Sequence, residues 1–198
     1  VSAPMPRLRV KFDTAGITGA DTGCDRQEFS YRPSGSKDDA TESLIDNVTK
    51  VNSHLRTGNT TTFADGTDTT AVTGLRFPGI DLVQGATILE AYVELTVLNS
   101  GSGATELTVE GENTGNALEF TSTLSNISDT SLRPRTVANG LISITEDSTA
   151  GEVVRSSDLS GIITEITGRG DWAPDQAINL FVSGGTNERR FGSYNSNP

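Results

Sequence analysis

Cysteine, histidine, tryptophan and methionine each occur once in the 198 residues, as Cys24, His54, Trp172 and Met5. A lone cysteine excludes an intrachain disulfide. It leaves Cys24 as a passive thiol or as a link to another subunit. A Ser-His-Asp triad would have to use His54, which lies in a polar Thr- and Asn-rich stretch with no nucleophile motif beside it. One Cys and one His do not supply the usual ligand set of zinc. No Gly-rich phosphate loop opens a helix, so nucleotide binding is unsupported. Lysine is limited to Lys11, Lys37 and Lys50, and 15 Lys+Arg against 26 Asp+Glu give a net charge of -11. An acidic chain of this kind repels nucleic acid and anionic membranes. No apolar run approaches the length of a membrane span. The first residue is Val1 and no signal-peptide pattern is present. That suits a mature, secreted chain or a segment of a longer one.

Thr, Ser, Gly and Asn are abundant, a mix that favours strands and turns over helices. In residues 1–12, Leu8, Val10 and Phe12 alternate with Arg7, Arg9 and Lys11. Period two marks a half-buried strand. Residues 13–36 are rich in Gly, Asp and Ser and read as a linker or long loop, with a short strand at 29–32. Residues 37–198 carry the remaining strands, at 44–48, 54–56, 60–63, 74–77, 87–98, 106–112, 141–144, 177–183 and 189–194. The strongest is 87–98, with Leu89, Ala91, Val93, Leu95 and Val97 on one face. One helix is predicted at 156–168, capped by Ser157, complemented by Asp158 and closed by Gly168. Leu159, Ile162, Ile163 and Ile166 share one face of it. Many short strands with one small helix predict an all-β, jelly-roll-like antiparallel β-sandwich.

The runs Thr73-Gly74-Leu75-Arg76-Phe77, Gln84-Gly85-Ala86-Thr87-Ile88 and Ala91-Tyr92-Val93 resemble a β-sandwich domain of bacterial secreted and surface proteins. Its members read "GLRF…IPQGATI…AYIQFT" and are distantly similar to carbohydrate-binding modules. The resemblance continues through Asn126-Ile127-Ser128, Glu165-Ile166, Trp172-Ala173 and Ser193-Tyr194-Asn195, and spans roughly residues 36–198. In such domains the segment after Ser-Tyr runs on to a last strand resembling "APLLHVEY". Here that alternation stands instead at Pro6–Phe12. The resemblance thus implies a closing strand moved to the front. Three arrangements fit it. The strand closes its own sandwich as a circular permutant, fills a neighbour's sandwich, or joins units of a tandem array.

No recognisable catalytic site emerges, and the chain reads as a non-enzyme. The leading expectation is a structural subunit of an extracellular filament or cell-surface assembly. Copies would join head to tail, with Leu8, Val10 and Phe12 as the assembly strand. The alternative is a carbohydrate-binding or adhesive module with a polysaccharide partner. For sugar stacking the aromatic candidates are Tyr92 and Trp172, with Tyr31 and Tyr194 behind them. By resemblance, Trp172 packs the helix instead. No cofactor is required. Asp38, Asp39 and Glu42 are candidates for a structural calcium, because hard oxygen ligands in a loop suit that ion. A solvated acidic turn is the plainer alternative. Other carboxylate pairs, such as Asp65 and Asp68, read as solvated surface.

Overall fold

The computed structural model describes residues 5–13, 26–51, 55–60 and 69–196. Cys24, His54, Asp65, Asp68 and the predicted strand residues 61–63 lie outside them. The strands are β1 (Arg7–Asp13), β2 (Arg26–Tyr31), β3 (Asp39–Ser43), β4 (Thr49–Val51), β5 (Leu55–Thr60) and β6 (Thr69–Ile80). They continue as β7 (Thr87–Thr96), β8 (Thr105–Glu112), β9 (Arg135–Ile144), β10 (Val153–Arg155), β11 (Gln176–Ser183) and β12 (Arg189–Phe191). One helix, α1 (Ser160–Thr167), and a 3₁₀ turn at Tyr194–Ser196 complete the described elements.

The strands form two antiparallel sheets packed against each other, an all-β sandwich with one short helix. The smaller sheet runs β10-β7-β1-β2. The larger runs β12-β5-β6-β11-β8-β9, with β3 also paired to β6 and β4 to β3. Alternation explains the interior. Leu8 and Val10 of β1 and Val93 and Leu95 of β7 face Leu75, Phe77, Leu180 and Val182 from the larger sheet, all buried in one cluster. At one corner β12 links the sheets: Val97 bridges Phe191, and Leu98 N–H donates to Arg190 O at 2.8 Å.

Helix α1 buries Ile162, Ile163 and Ile166, as the period of its apolar residues requires. It sits so close to β8 that a Cβ on Gly111 would lie 2.6 Å from Ile162 Cγ2. Its cap differs from the expectation. Leu159 occupies the N-cap without a side-chain bond, and Asp158 takes the Ser160 N–H at 3.0 Å. Ser157 Oγ is committed elsewhere, accepting from Leu141 N–H at 2.9 Å. The Glu165 carboxylate accepts from the N–H groups of Val137 and Ala138 at 3.0 Å. The helix and its lead-in therefore cover the outer edge of β9, where open backbone groups would otherwise invite pairing.

Several boundaries differ from the sequence reading. Residues 44–48 are a turn, not a strand. Asn47 has φ 58°, and Ser43 N–H reaches Val48 O at 3.1 Å. The strand lies just before it, in the polar run Asp39–Ser43. β6 extends through Pro78-Gly79 to Ile80, and β9 begins six residues before the predicted start at Leu141. No helix among the described residues is long and apolar enough to cross a membrane.

Truncating Leu8, fully buried in the core, to Ala is expected to cost about 2–5 kcal/mol. Arg9→Ala, on the opposite face of β1, is expected to cost less than about 1 kcal/mol. Urea unfolding of the two variants checks the contrast.

Candidate functional site

The central feature is the channel that β1 occupies. β1 pairs antiparallel with β7 on one side and β2 on the other. Leu8 lies opposite Val93 and Val10 opposite Ala91, while the register shifts by a bulge before Phe12 meets Ile88. Leu8, Val10 and Phe12 are buried at 0%, 0% and 3% exposure. Their burial corresponds to about 5–9 kcal/mol of gross apolar transfer. That equals a large share of a domain's net stability of about 5–15 kcal/mol. On the outer face Arg9 bridges Glu28 and Glu94, each at 3.3 Å. Phe12 stacks on Phe29 with ring centroids 5.5 Å apart. Arg9 is tied to two strands and Phe12 to the core and β2, so strand identity and register are both specified.

The three carboxylates proposed for calcium do not form one ligand sphere. They are neither in an open loop nor solvated: Asp38, Asp39 and Glu42 are all buried. Asp39 and Glu42 lie three residues apart in β3, so they point to opposite faces. Asp38 accepts from Ser34 N–H, Ser34 Oγ and Gly35 N–H through one oxygen and pairs with Arg76 at 2.7 Å through the other. Glu42 accepts from Thr49 Oγ1, Ile127 N–H and Ser128 N–H. Among the described residues no group of three His, Cys, Asp or Glu side chains is placed to hold a metal.

Asp39 differs from its neighbours. One oxygen accepts from Tyr194 N–H at 2.6 Å, whereas Oδ1 is buried without a partner. Burial pushes its pKa up to about 7, with the Tyr194 amide opposing and the Asp38 charge adding to the rise.

Glu42 belongs to a polar frame that the sequence reading did not assign. Arg133, 4% exposed, donates to Glu112 at 2.8 Å, to the carbonyls of Asn126, Leu118 and Glu119, and to Asn126 Oδ1. Asn179 Nδ2 also reaches Glu112, at 2.7 Å. Arg135 lies 3.6 Å from the Phe181 ring centroid and donates to Ile127 O. These contacts pin residues 113–134 over a second small cluster of Ala40, Val72, Phe120, Ile127 and Phe181. An Arg-Pro-Arg run in a loop carries no periodic signal, so only the depth of Arg133 in the fold reveals this role.

The aromatic stacking candidates are placed otherwise. Trp172 is 4% exposed, with Nε1 donating to Leu82 O at 2.9 Å. It cannot serve as a sugar platform, because its ring packs in the main core. Tyr92 is half-buried, and one ring face is covered by Arg155, 3.1 Å from the centroid. Tyr31 packs against Phe29 at 6.1 Å. Tyr194 presents its amide, not its ring, to Asp39.

No model of a known protein family matches the chain, and no curated protein matches it.

Two outcomes follow from these buried charges. The folded pKa of Asp39 lies above the carboxylate's ordinary value of 3.8. Folding therefore takes up a proton between these values. The Asp39 contribution is most favourable below about pH 4, falls by about 1.4 kcal/mol per pH unit toward pH 7, and is flat above it. Asp39→Asn is expected to flatten that part of the stability profile, measured by denaturant melts from pH 4 to 8. Arg133→Ala leaves Glu112 buried without its cation and is expected to cost about 3–5 kcal/mol, measured by the shift in the urea midpoint.

Proposed function

We propose that the chain is a structural subunit of an extracellular filament or surface assembly, in which copies are joined by exchange of β1. In this reading the β1 of one copy lies between β7 and β2 of the next, making there the contacts it makes within one chain. Head-to-tail exchange of an identical element generates a polymer whenever the rotation between copies does not close a ring.

The observation that carries the reading is the length of the β1–β2 connection. Asp13 is paired directly with Arg26, so the two strand ends lie one strand spacing apart. A hairpin closing that gap needs about 2–5 residues. The chain supplies residues 14–25, which can extend to about 40 Å. This slack is what a strand needs to reach a neighbouring molecule while keeping its register. The buried Leu8, Val10 and Phe12 give the driving force, because a copy without a strand between β7 and β2 exposes their pockets and two rows of backbone groups.

The test places cysteines at the facing positions Arg9 and Tyr92. Directly opposed residues of an antiparallel pair lie about 4.5–5.5 Å apart at Cα, within disulfide range. In a Cys24→Ser background, oxidised Arg9→Cys/Tyr92→Cys protein is expected to run as a covalent ladder on a non-reducing gel. A quantitative intrachain bond, with monomer the sole product at every protein concentration, would reject the exchange.

A further inference from the structure

Residues 1–12 carry Arg7, Arg9 and Lys11 and no Asp or Glu. Residues 13–198 hold the other 12 Lys+Arg and all 26 Asp+Glu, a net charge of -14. Two bodies of that charge repel each other, and the N-terminal segment is the part of each copy that the other attracts.

The strand register shows where these cations go. Arg7 lies opposite Glu94 of β7, and Lys11 lies opposite Glu90 of β7 and Glu28 of β2. Arg9 sits between Tyr92 and Ser30 and reaches along the strands to Glu94 and Glu28, at 3.3 Å each. Directly opposed residues share a face of the sheet, so cations and carboxylates line the side away from Leu8 and Val10. The side chains of Arg9, Glu28 and Glu94 keep 28%, 51% and 27% of their surface open to water. One such pair contributes little by itself. The row acts through its sign.

Apolar alternation alone does not identify the strand that belongs between β7 and β2. β7 itself buries Ala91, Val93 and Leu95 in the same way, but its other face shows Glu90 and Glu94. A second copy's β7 laid in that place would set carboxylate beside carboxylate, and like charges directly opposed across a strand pair are destabilising. β11, with the run Gln-Ala-Ile-Asn-Leu-Phe-Val-Ser, has no charge to offer. Only β1 alternates buried apolar residues with cations among the described strands.

We infer that β7 and β2 form a charge-selective slot. It takes a strand whose apolar residues alternate with cations in preference to an uncharged one, and it turns away an acidic one. The partner that fits is the N-terminal strand of a second copy, drawn in by the opposite charge of the body that receives it. The inference rests on the exchange reading for the source of the strand, whereas the selection holds whichever chain supplies β1.

The test uses the full chain in three forms. The strand variant carries Arg7→Glu, Arg9→Glu and Lys11→Glu. The slot variant carries Glu28→Lys and Glu94→Lys. The third carries all five changes. None of these side chains is in the core. Melting temperature and light scattering are measured at about 10 mM and about 1 M salt, where the screening length falls from about 30 Å to about 3 Å. At low salt the strand and slot variants are each expected to melt about 3–5 °C or more below the five-change chain, the shift of a tenfold change in the folding equilibrium. The gap is expected to narrow at high salt. An equimolar mixture of strand and slot variants is expected to form assemblies that neither forms alone. The slot changes take the net charge from -11 to -7, so a general effect of acidity would stabilise that variant instead. The single changes Arg9→Glu and Glu94→Lys repeat the comparison where a multiple variant does not fold. The proposal is overturned if either variant matches the natural chain in melting temperature and size at low salt, or if combining the changes restores nothing. If the five-change chain recovers while the mixture stays monomeric, charge selection stands and exchange between copies falls.

Discussion

A sheet that lacks an inner strand exposes two rows of backbone donors and acceptors and a trench of apolar side chains. β1 removes both costs at once in the smaller sheet. It supplies the ladder partners of β7 and β2 and places Leu8, Val10 and Phe12 in the main core. β2 has no other partner strand among the described residues, so its place in the sheet depends on β1. The rest of the sandwich is built around that occupancy. The larger sheet presents Leu75, Phe77, Leu180 and Val182 to the same cluster, and α1 closes the other end of it. What bears on exchange of the strand is the contrast between its tight seating and the length of the connection to β2. The register is specified on both faces of β1, whereas the connection that follows it is far longer than the paired ends require.

Buried charge carries a second layer of organisation. Among the described residues of this acidic chain two arginines, Arg133 and Arg189, are buried, and each holds loops rather than anchoring strands. Arg133 satisfies carbonyls of the 113–134 segment while neutralising Glu112. Arg189 satisfies the carbonyls of the loops at the β8 end. Removing a buried cation of this kind strands its acceptors, which is why such positions are expensive to change. The outer edge of β9 shows the same economy of parts, with Glu165 and Ser157 taking amides that would otherwise pair with another chain.

The alternating strands were readable from the sequence because one face of each meets the core. β1 and β11 show period-two or continuous burial at the positions their apolar residues mark, and β7 does so from Ala91 onward. Leu89, expected on the same face, is 40% exposed because the bulge opposite Lys11 and Phe12 breaks the alternation there. The helix was legible for the same reason, through Leu159, Ile162, Ile163 and Ile166. β3 was not. Its run Asp-Ala-Thr-Glu-Ser is buried throughout, and its carboxylates accept from residues as distant as Ile127, Ser128 and Tyr194, with only Asp39 Oδ1 left without a partner. No local pattern encodes partners of that kind. The turn at 44–48 misled in the opposite sense, because Leu44 and Ile45 are apolar yet exposed. Trp172 illustrates a limit of composition: as an aromatic in a Gly-Asp-Trp-Ala-Pro turn it looks available for stacking, whereas its position by resemblance pointed to packing on the helix. It lies in the cluster that holds Ile162, Ile163 and Ile166, with its indole N–H donating to Leu82 O.

The most direct measurement is strand complementation in trans. A chain lacking residues 1–12 is mixed with a peptide of residues 5–13, and hydrogen–deuterium exchange of the β7 amides is followed by mass spectrometry. The account predicts that β7 exchanges freely without the peptide and regains protection when it is added, saturating with peptide concentration. A β7 that stays protected without the peptide, or that gains nothing from it, would contradict the claim that an exchangeable β1 completes this sheet.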